Sequence, residues 1–475
     1  ADVKTVTVAG EGQTEIKAVS ATVTSFDASA ATGNVIADLK AAATGALTSV
    51  KTGAGNDKVT VSLDDLSSSA TVAGGAGTDT LVVDAFTNTK QLNMSGIETV
   101  KLNTVTAIGG ANAIFSGTNV TDLANVEVKA GALAGNVQFV NMGAKDLTVT
   151  TLGSVTGNTL SADNSGAITV NMNKSADTVT AGETASTTAL TFANASSVTA
   201  NVNEYQTYNG TLTTGTTGAV KLNVASKLVN SAETTKFTGT LTANSASSVT
   251  IDATGGLTNA TINAEKATTV SITAGANSAA TITDINAAKA TTLNVTAGSK
   301  GLAISTTAAN DLEKVQTATL KTDGALSFNT ANLSDAADIT VSGTATTSSV
   351  SLNDLGAAAL THDVKLTATG LKAGLATGNI DAGTAKVTLD VSGVTGNVNL
   401  TGKTIKGDGG LTLNAKNLAG SLTVGAIGEA TTTGAISVDA TNIGAALSLG
   451  TLTTKGDVTV TATNAVNTVG TGAIT

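Results

Sequence analysis

Two glycine-rich words near the start of the 475-residue chain hold the residue types best suited to chemistry. Residues 52–60 read TGAGNDKVT, and residues 74–82 read GGAGTDTLV. Each word closes its glycines with an aspartate, Asp57 or Asp79, and then runs into a strand-like segment. Calcium binds six to eight oxygens from carboxylates and backbone carbonyls, and glycine permits the backbone conformations that aim carbonyls at an ion. The two words therefore predict a calcium site.

The spacing of the words adds to this prediction. Gly75 follows Gly53 by 22 residues, which is one repeat of the chain, so the two words should stack on one side with an ion between them. The predicted metal ligands are Gly53, Gly55, Asp57, Gly75, Gly77 and Asp79. Further candidate ligands are Asp64, Asp65, Asp84 and Glu98, although a solvated surface role is the better expectation for Glu98. The alternative is that both words are ordinary Gly-Asp turns.

The elements that must position these words form a repeat. Short runs alternate apolar and polar residues, the pattern of strands with one buried face. Their first apolar residues recur about every 21–25 residues, at Val249, Val270, Leu293, Val315, Ile339, Val364, Val387, Leu411, Ile436 and Val458, after an earlier series at Val100, Val126, Leu147, Ile168, Val198 and Val220. A second run lies about 11 residues later, at Val398, Leu422 and Leu447. This period predicts an all-β chain folded as a parallel β-solenoid, a β-roll or β-helix.

Two intervals are longer than the others, from Ile168 to Val198 and from Val220 to Val249. We expect the extra residues to form loops on one face, and a third short strand is open in the longer repeats. Residues 203–208 (NEYQTY) lie between these intervals and hold two tyrosines. They could make binding contacts, but a tolerated surface insertion is the preferred interpretation.

Composition excludes several functions. The chain has no Cys, Pro or Trp, no Arg in its sequence, and a net charge of −10. A chain without arginine and with this charge is a poor ligand for nucleic acid or anionic membranes, and no run is long enough for a membrane helix. With no Cys and one histidine, His362, neither a zinc site nor a catalytic triad is expected; the histidine should lie in solvent. We therefore predict that the protein is not an enzyme.

The glycine-rich words and the composition together resemble the RTX-type surface-layer (S-layer) proteins of Gram-negative bacteria, which leave the cell by type I secretion. The resemblance by motif covers about residues 20–105, including Phe26-Asp27-Ala28-Ser29 and Gly96-Ile97-Glu98. It implies an RTX-like calcium-binding region at 1–105 and a continuous solenoid repeat region at 106–475. It also implies secretion to the cell surface, calcium-driven folding, self-assembly into a two-dimensional lattice, and lipopolysaccharide as a further partner. Residues 470–475 show no clear match to the family's C-terminal secretion signal, so the chain is expected to be either a fragment or a protein whose export signal lies elsewhere.

Three alternatives are open. The chain could be an RTX adhesin or an extracellular spacer and binding module. It could be an ice-binding solenoid, which Thr-x-Thr words such as Thr148-Val149-Thr150 suggest, although these words do not look aligned from repeat to repeat. It could be a glycan hydrolase or lyase, which would need a one-sided cluster of acids that the sequence does not reveal.

Overall fold

The fold is described by a computed structural model for residues 2–85, 89–103, 111–133, 135–173, 186–203, 206–229, 232–233, 235–308 and 311–475. It is all-β, with about 19 rungs of parallel β-solenoid, where a rung is one full turn of the chain. The predicted fold class is confirmed. Helix in the described residues is limited to two single 3-10 turns, Leu63–Asp65 and Val120–Asp122. None of the described helices is long and apolar enough to cross a membrane.

Internal contacts divide the chain into two units. Unit 1 comprises Ala1–Val229 and Thr234–Ala243, and unit 2 comprises Asn230–Glu233 and Asn244–Thr475. The predicted boundary at residue 105 lies inside unit 1, where strand Thr99–Leu102 pairs in parallel with Asn125–Val128. The division at residue 105 stays a prediction.

Each rung of unit 1 gives one strand to sheet A and one to sheet B. The sheet A strands are Thr5–Gly10, Ser25–Ala31, Leu47–Lys51, Leu66–Ala73, Lys90–Ser95, Ala111–Asn119, Gly135–Phe139, Thr159–Ala162, Ala189–Phe192, Thr211–Thr214 and Thr240–Thr242. The sheet B strands are Thr14–Ile16, Val35–Asp38, Lys58–Ser62, Thr80–Ala85, Thr99–Leu102, Asn125–Val128, Leu147–Leu152, Ala167–Asn173, Ser197–Val202 and Ala219–Val224. Short additional strands are Gly131–Leu133, Val155–Gly157, Thr207–Tyr208, Leu228–Val229 and Lys236–Phe237.

Unit 2 is built in the same way. Its sheet A strands are Ala260–Asn263, Ala280–Asn286, Leu302–Ile304, Ala325–Phe328, Ser349–Ser351, Leu355–Gly356, Gly374–Ala376, Ile380–Asp381, Val398–Lys406, Leu422–Gly428, Leu447–Leu449, Leu452–Thr453 and Val469–Thr471. Its sheet B strands are Ser248–Ala253, Thr269–Ala274, Thr292–Ala297, Thr317–Thr322, Asp338–Gly343, Val364–Thr369, Val387–Asp390, Leu411–Asn414, Ile436–Asp439 and Val458–Thr461. Two short strands, Ala232–Glu233 and Gly256–Leu257, complete the unit.

Strand register confirms most of the predicted repeat. In unit 1, Leu147, Ile168, Val198 and Val220 are successive register partners. In unit 2, Val364, Val387, Leu411, Ile436 and Val458 form one column, and Val398, Leu422 and Leu447 form another on sheet A. Inward positions in these columns hold Val, Leu and Ile, so burial of one strand face explains the alternation.

Four predicted steps of the repeat are wrong in register, two of them because Ala318 rather than Val315 pairs with both Leu293 and Ile339. Val126 pairs with Val149 rather than Leu147, and Ile339 pairs with Leu366 rather than Val364. Residues two apart on a strand face the same side, so alternation alone cannot choose between them. Leu293 pairs with Ala318, whereas the predicted partner Val315 is fully buried at the corner before the strand. The pattern therefore placed Val315 in the sheet, where the structure has the smaller residue Ala318.

The described end of the aromatic stretch, residues 206–208, is not a surface insertion. Tyr208 is 2% exposed, and its hydroxyl donates to Thr188 O at 2.9 Å. Its ring stacks on Phe237 with centroids 5.9 Å apart, so third strands enlarge the core in this part of unit 1. The open possibility of a third strand is therefore confirmed. Residues 174–185 of the other long interval, and Glu204 and Tyr205, lie outside the described residues.

Candidate functional site

The two glycine-rich words form successive corners of unit 1. Each leads from a sheet A strand to a sheet B strand, and Lys58–Ser62 pairs in parallel with Thr80–Ala85. Ala76 N donates to Gly53 O, and Thr80 N donates to Asp57 O, both at 2.8 Å. The words therefore stack one rung apart on the same side, as predicted.

Close stacking explains the glycines. A Cβ atom at Gly53 would lie 1.9 Å from the carbonyl oxygen of Ala31 in the preceding rung. A Cβ atom at Gly75 would lie 2.0 Å from Gly53 O, and Gly75 also has a left-handed backbone with φ of +94°. The corners can approach each other this closely only without side chains at these two positions.

Asp57 is buried and uses both carboxylate oxygens. It is 3% exposed; its Oδ1 accepts the backbone N–H of Val35 at 2.7 Å, and its Oδ2 accepts that of Gly53 at 3.1 Å. The first bond reaches the preceding rung, and the second closes the corner on itself. The carboxylate thus satisfies two amides that the corner would otherwise leave without partners.

Asp79 occupies the corresponding position one rung later but uses only one oxygen. It is 1% exposed, and its Oδ1 accepts the N–H of Asp57 at 2.8 Å, whereas Oδ2 has no hydrogen-bond partner. The pKa of Asp79 is raised to about 7, mainly by burial and to a smaller extent by the charges of Asp57 and Glu98, while the hydrogen bond from the Asp57 amide opposes the shift. The charged form of Asp79 therefore lowers the stability of the folded state.

Glu98 is not a solvated surface residue, contrary to expectation. It is half-buried, and its Oε2 accepts the N–H of Asp79 at 2.6 Å. In the next rung, Asp122 Oδ2 accepts the N–H of Gly96 at 3.0 Å. Glu98 lies at the same corner as Asp79, about one repeat later. Its position in the sequence could therefore have predicted this contact.

Sequence reasoning missed the residues that precede the two aspartates. Asn34 Oδ1 accepts the N–H of Asn56, and Asn56 Oδ1 accepts the N–H of Thr78, each at 2.9 Å. A second column of side-chain hydrogen bonds therefore runs beside the carboxylates. The recurrence of Asn34 and Asn56 at a spacing of 22 residues could have revealed it.

The other candidate ligands do not join the corner. Asp84 Oδ2 lies 3.1 Å from Lys40 Nζ, in an ion pair. Asp65 is 7% exposed, has an unpartnered Oδ2, and lies in the 3-10 turn Leu63–Asp65 next to Asp64. Burial, with a smaller contribution from the charge of Asp64, raises the pKa of Asp65 to about 6.

The corner does not fit a calcium cage in this arrangement. Over the described ranges, no group of three or more His, Cys, Asp or Glu side chains could hold a metal ion. Asp57 already accepts two amides, and Gly53 O already accepts Ala76 N, which leaves Asp79 Oδ2 as the orphaned carboxylate oxygen of the pair. Calcium requires six to eight oxygens. Calcium binding at the six predicted residues stays a prediction.

Unit 2 holds the acidic cluster that the sequence did not reveal. Asp354, Asp381 and Glu429 line a cavity of about 420 Å³ together with Lys406. Lys406 Nζ lies 3.2 Å from Asp381 Oδ2 and 3.5 Å from Glu429 Oε1. The hydrogen bond to Asp381 raises the pKa of Lys406 despite partial burial, so the lysine is a cation that neutralises part of the cluster.

The single histidine is paired rather than free in solvent. His362 Nε2 lies 3.1 Å from Asp335 Oδ1, and Nδ1 lies 3.2 Å from the carbonyl oxygen of Asp363. Its side chain is 36% exposed. Because both ring nitrogens have partners, neither is positioned to activate a nucleophile.

No protein-family model matches the chain, and neither a curated protein nor a solved structure is detectably similar to it. Function must therefore be inferred from the fold and from the chemistry of the exposed faces and corners.

Proposed function

We propose that the chain is a structural protein of the bacterial cell exterior, whose solenoid assembles with further copies of itself into an S-layer-type two-dimensional lattice. The proposal includes type I secretion, attachment to lipopolysaccharide and a role for calcium in assembly. The composition supports an extracellular location, because a chain of 475 residues without Cys and with a net charge of −10 is soluble and insensitive to an oxidising environment.

The regular outer face of sheet B in unit 2 carries the proposal. Thr269, Thr292 and Thr317 are successive register partners, and all three are half-buried or exposed. A second column further along contains Thr388, Thr412, Ser437 and Thr459. Single threonines therefore align between rungs on this face, whereas the Thr-x-Thr words do not, as expected: Thr459 and Thr461 pair with Ser437 and Asp439. A surface that repeats the same chemistry every rung offers the repeated contacts that a lattice needs.

The aligned threonines also favour a second candidate, the ice-binding solenoid. Charges interrupt the face, however, because Thr317 pairs with Asp338, and Asp338 pairs with Lys365. Opposite charges in register suit contacts with another protein better than contacts with the uncharged surface of ice. A thermal-hysteresis assay tests this candidate directly, and measurable hysteresis at micromolar protein would favour ice binding.

The test of the lattice is assembly of the purified chain. We expect ordered sheets in negative-stain micrographs of calcium samples as the protein concentration rises, and fewer or no sheets in matched EGTA samples. A Thr269→Lys/Thr292→Lys double variant, which places two ammonium groups on the repeated face, should reduce sheet formation without changing circular dichroism. Thr211→Lys, at an exposed sheet A position in unit 1, is the matched control. A chain that stays monomeric under all conditions would favour the adhesin or spacer alternative.

A further inference from the structure

We propose that the corner acids of unit 1 are metal-free bridges between rungs, in which a carboxylate of one rung accepts backbone N–H groups of the rung before it. Unit 1 then folds and stays folded without calcium. This inference does not rest on the proposed lattice, since it concerns the stability of a single chain.

The bridges form a continuous series. Asp57 accepts from Val35 at 2.7 Å, Asp79 from Asp57 at 2.8 Å, and Glu98 from Asp79 at 2.6 Å. Asp57 and Asp79 each donate their own N–H to the next acid while their side chains accept from the preceding rung. Four consecutive rungs are therefore joined through three carboxylates.

The same contact recurs where no glycine-rich word is present. Asp122 Oδ2 accepts the N–H of Gly96 at 3.0 Å. Asp163 accepts from two amides of the preceding rung, Asn141 at 2.9 Å and Met142 at 3.1 Å. Neither Asp122 nor Asp163 ends a Gly-x-Gly word. The carboxylate–amide contact therefore recurs in unit 1 independently of the glycine-rich words. The glycines of the two words are explained by close packing of the corners.

Hydrogen-bond energetics explain why such bridges hold without an ion. A buried amide without a partner destabilises a fold, and hydrogen bonds to a charged acceptor are about twice as strong as neutral ones. Asp57 satisfies two amides at once. A calcium ion at this corner would have to draw further oxygens from carbonyls such as Gly53 O, which already accepts Ala76 N at 2.8 Å.

Two isosteric substitutions distinguish a carboxylate that bridges rungs from one that binds calcium. Asp57→Asn places an amide NH₂ against one of two N–H donors, so we expect a lower thermal unfolding midpoint and faster hydrogen exchange at the amides of Val35 and Gly53. Asp79→Asn keeps an oxygen for the N–H of Asp57 and puts its NH₂ where Oδ2 has no partner. We expect its midpoint to be unchanged or higher, with the Asp57 amide still protected.

The calcium prediction gives the opposite result for Asp79. A calcium ligand there would make Asp79→Asn insensitive to calcium, with a midpoint below that of the wild type in calcium. Asp252→Asn, an exposed acid in unit 2, is the matched control for loss of one charge. These experiments use the full chain, followed by circular dichroism and by hydrogen exchange read out by mass spectrometry.

The wild-type chain supplies a test that survives misfolding of either variant. We expect the same unfolding midpoint and the same exchange at Val35 and Asp57 in EGTA and in calcium. A wild-type unfolding midpoint that rises with calcium, together with slower exchange at the amides of Val35 and Asp57, would overturn the proposal. Calcium-independent folding without ordered sheets would overturn the lattice proposal alone, so the two failures are distinguishable.

Discussion

The two units fill the same type of solenoid with different side chains. Unit 1 holds the largest fully buried residues, Tyr208, Phe26, Phe115, Phe139, Phe192 and Phe237. The buried aromatic residue described in unit 2 is Phe328, and the rest of its core is Leu, Ile, Val and Ala. Unit 1 also adds third strands such as Val155–Gly157 to its rungs. The comparison shows that the same type of solenoid rung can be filled to close packing either with aromatic rings or with aliphatic side chains alone.

Two buried acids of unit 1 differ from three more accessible acids of unit 2 in the direction of their contacts. In unit 1, Asp57 and Asp79 are buried and accept from the preceding rung. In unit 2, the half-buried Asp284 and Asp354 and the exposed Asp363 accept from amides of the following rung, at 2.8, 2.6 and 3.0 Å. Buried carboxylates have strongly environment-dependent pKa values, so unit 1 should be the unit whose stability depends more on pH.

The largest expected effect tests the aromatic core of unit 1. Phe139 and Phe115 are fully buried, and their rings stack with centroids 4.9 Å apart. Phe139→Ala leaves a cavity and removes this stack, and should lower the free energy of unfolding of unit 1 by about 3–5 kcal/mol. Denaturant unfolding, with hydrogen exchange to assign the loss to unit 1, measures it. Leu326→Ala, also buried, is the comparison in unit 2. A loss below about 1 kcal/mol for Phe139→Ala would show that the wide core can collapse around the cavity.

The next effect tests the close approach of the corners. Gly53→Ala puts a methyl group 1.9 Å from Ala31 O, so the rungs must separate and the bond from Gly53 N to Asp57 must weaken. We expect a loss of about 2–4 kcal/mol, in the range of overpacking and broken buried networks. Gly12→Ala is the control, since a Cβ there has no atom within 4 Å, and its midpoint should not fall. Equal midpoints for the two variants would contradict the packing explanation.

These corners show what the sequence could and could not predict. The period, the parallel solenoid and the stacking of the two words follow from residues that recur one rung apart, because each rung repeats the same inward face. The register between Ile339 and Leu366 could not be chosen, since Val364 faces the same side. The contacts of Asp57 could not be predicted either, because a carboxylate at a glycine-rich corner can accept backbone amides or bind calcium. Its hydrogen bonds depend on the positions of Val35 N and Gly53 N, which the sequence does not give. Burial of Tyr208 required a third strand that local alternation does not specify.

A smaller effect tests the pH dependence of unit 1. Burial raises the pKa of Asp65 from 3.8 to about 6, so the folded state binds more protons than the unfolded state between these values. The stabilisation is full below about pH 4 and is lost as the pH rises through about 6, a change of up to about 3 kcal/mol. Asp65→Asn should flatten this slope and stabilise the protein at pH 7. Urea unfolding between pH 4 and 8 checks the change, and an unchanged slope in the variant would assign the pH dependence to other groups.

The smallest effect belongs to unit 2. The hydrogen bond from Asp335, followed by that from the Asp363 carbonyl, raises the pKa of His362 above its ordinary value, although partial burial opposes the shift. A raised histidine pKa means that the pair stabilises the fold fully below about pH 6.5 and loses this contribution as the pH rises through the folded value. Since the side chains are 36% and 24% exposed, the effect should stay below about 1 kcal/mol. His362 is the single histidine, so its NMR titration is unambiguous, and Asp335→Asn should return its pKa towards the ordinary value. If Asp335→Asn leaves the pKa of His362 unchanged, the ion pair does not raise that pKa. The pair would then add no pH-dependent stability to unit 2.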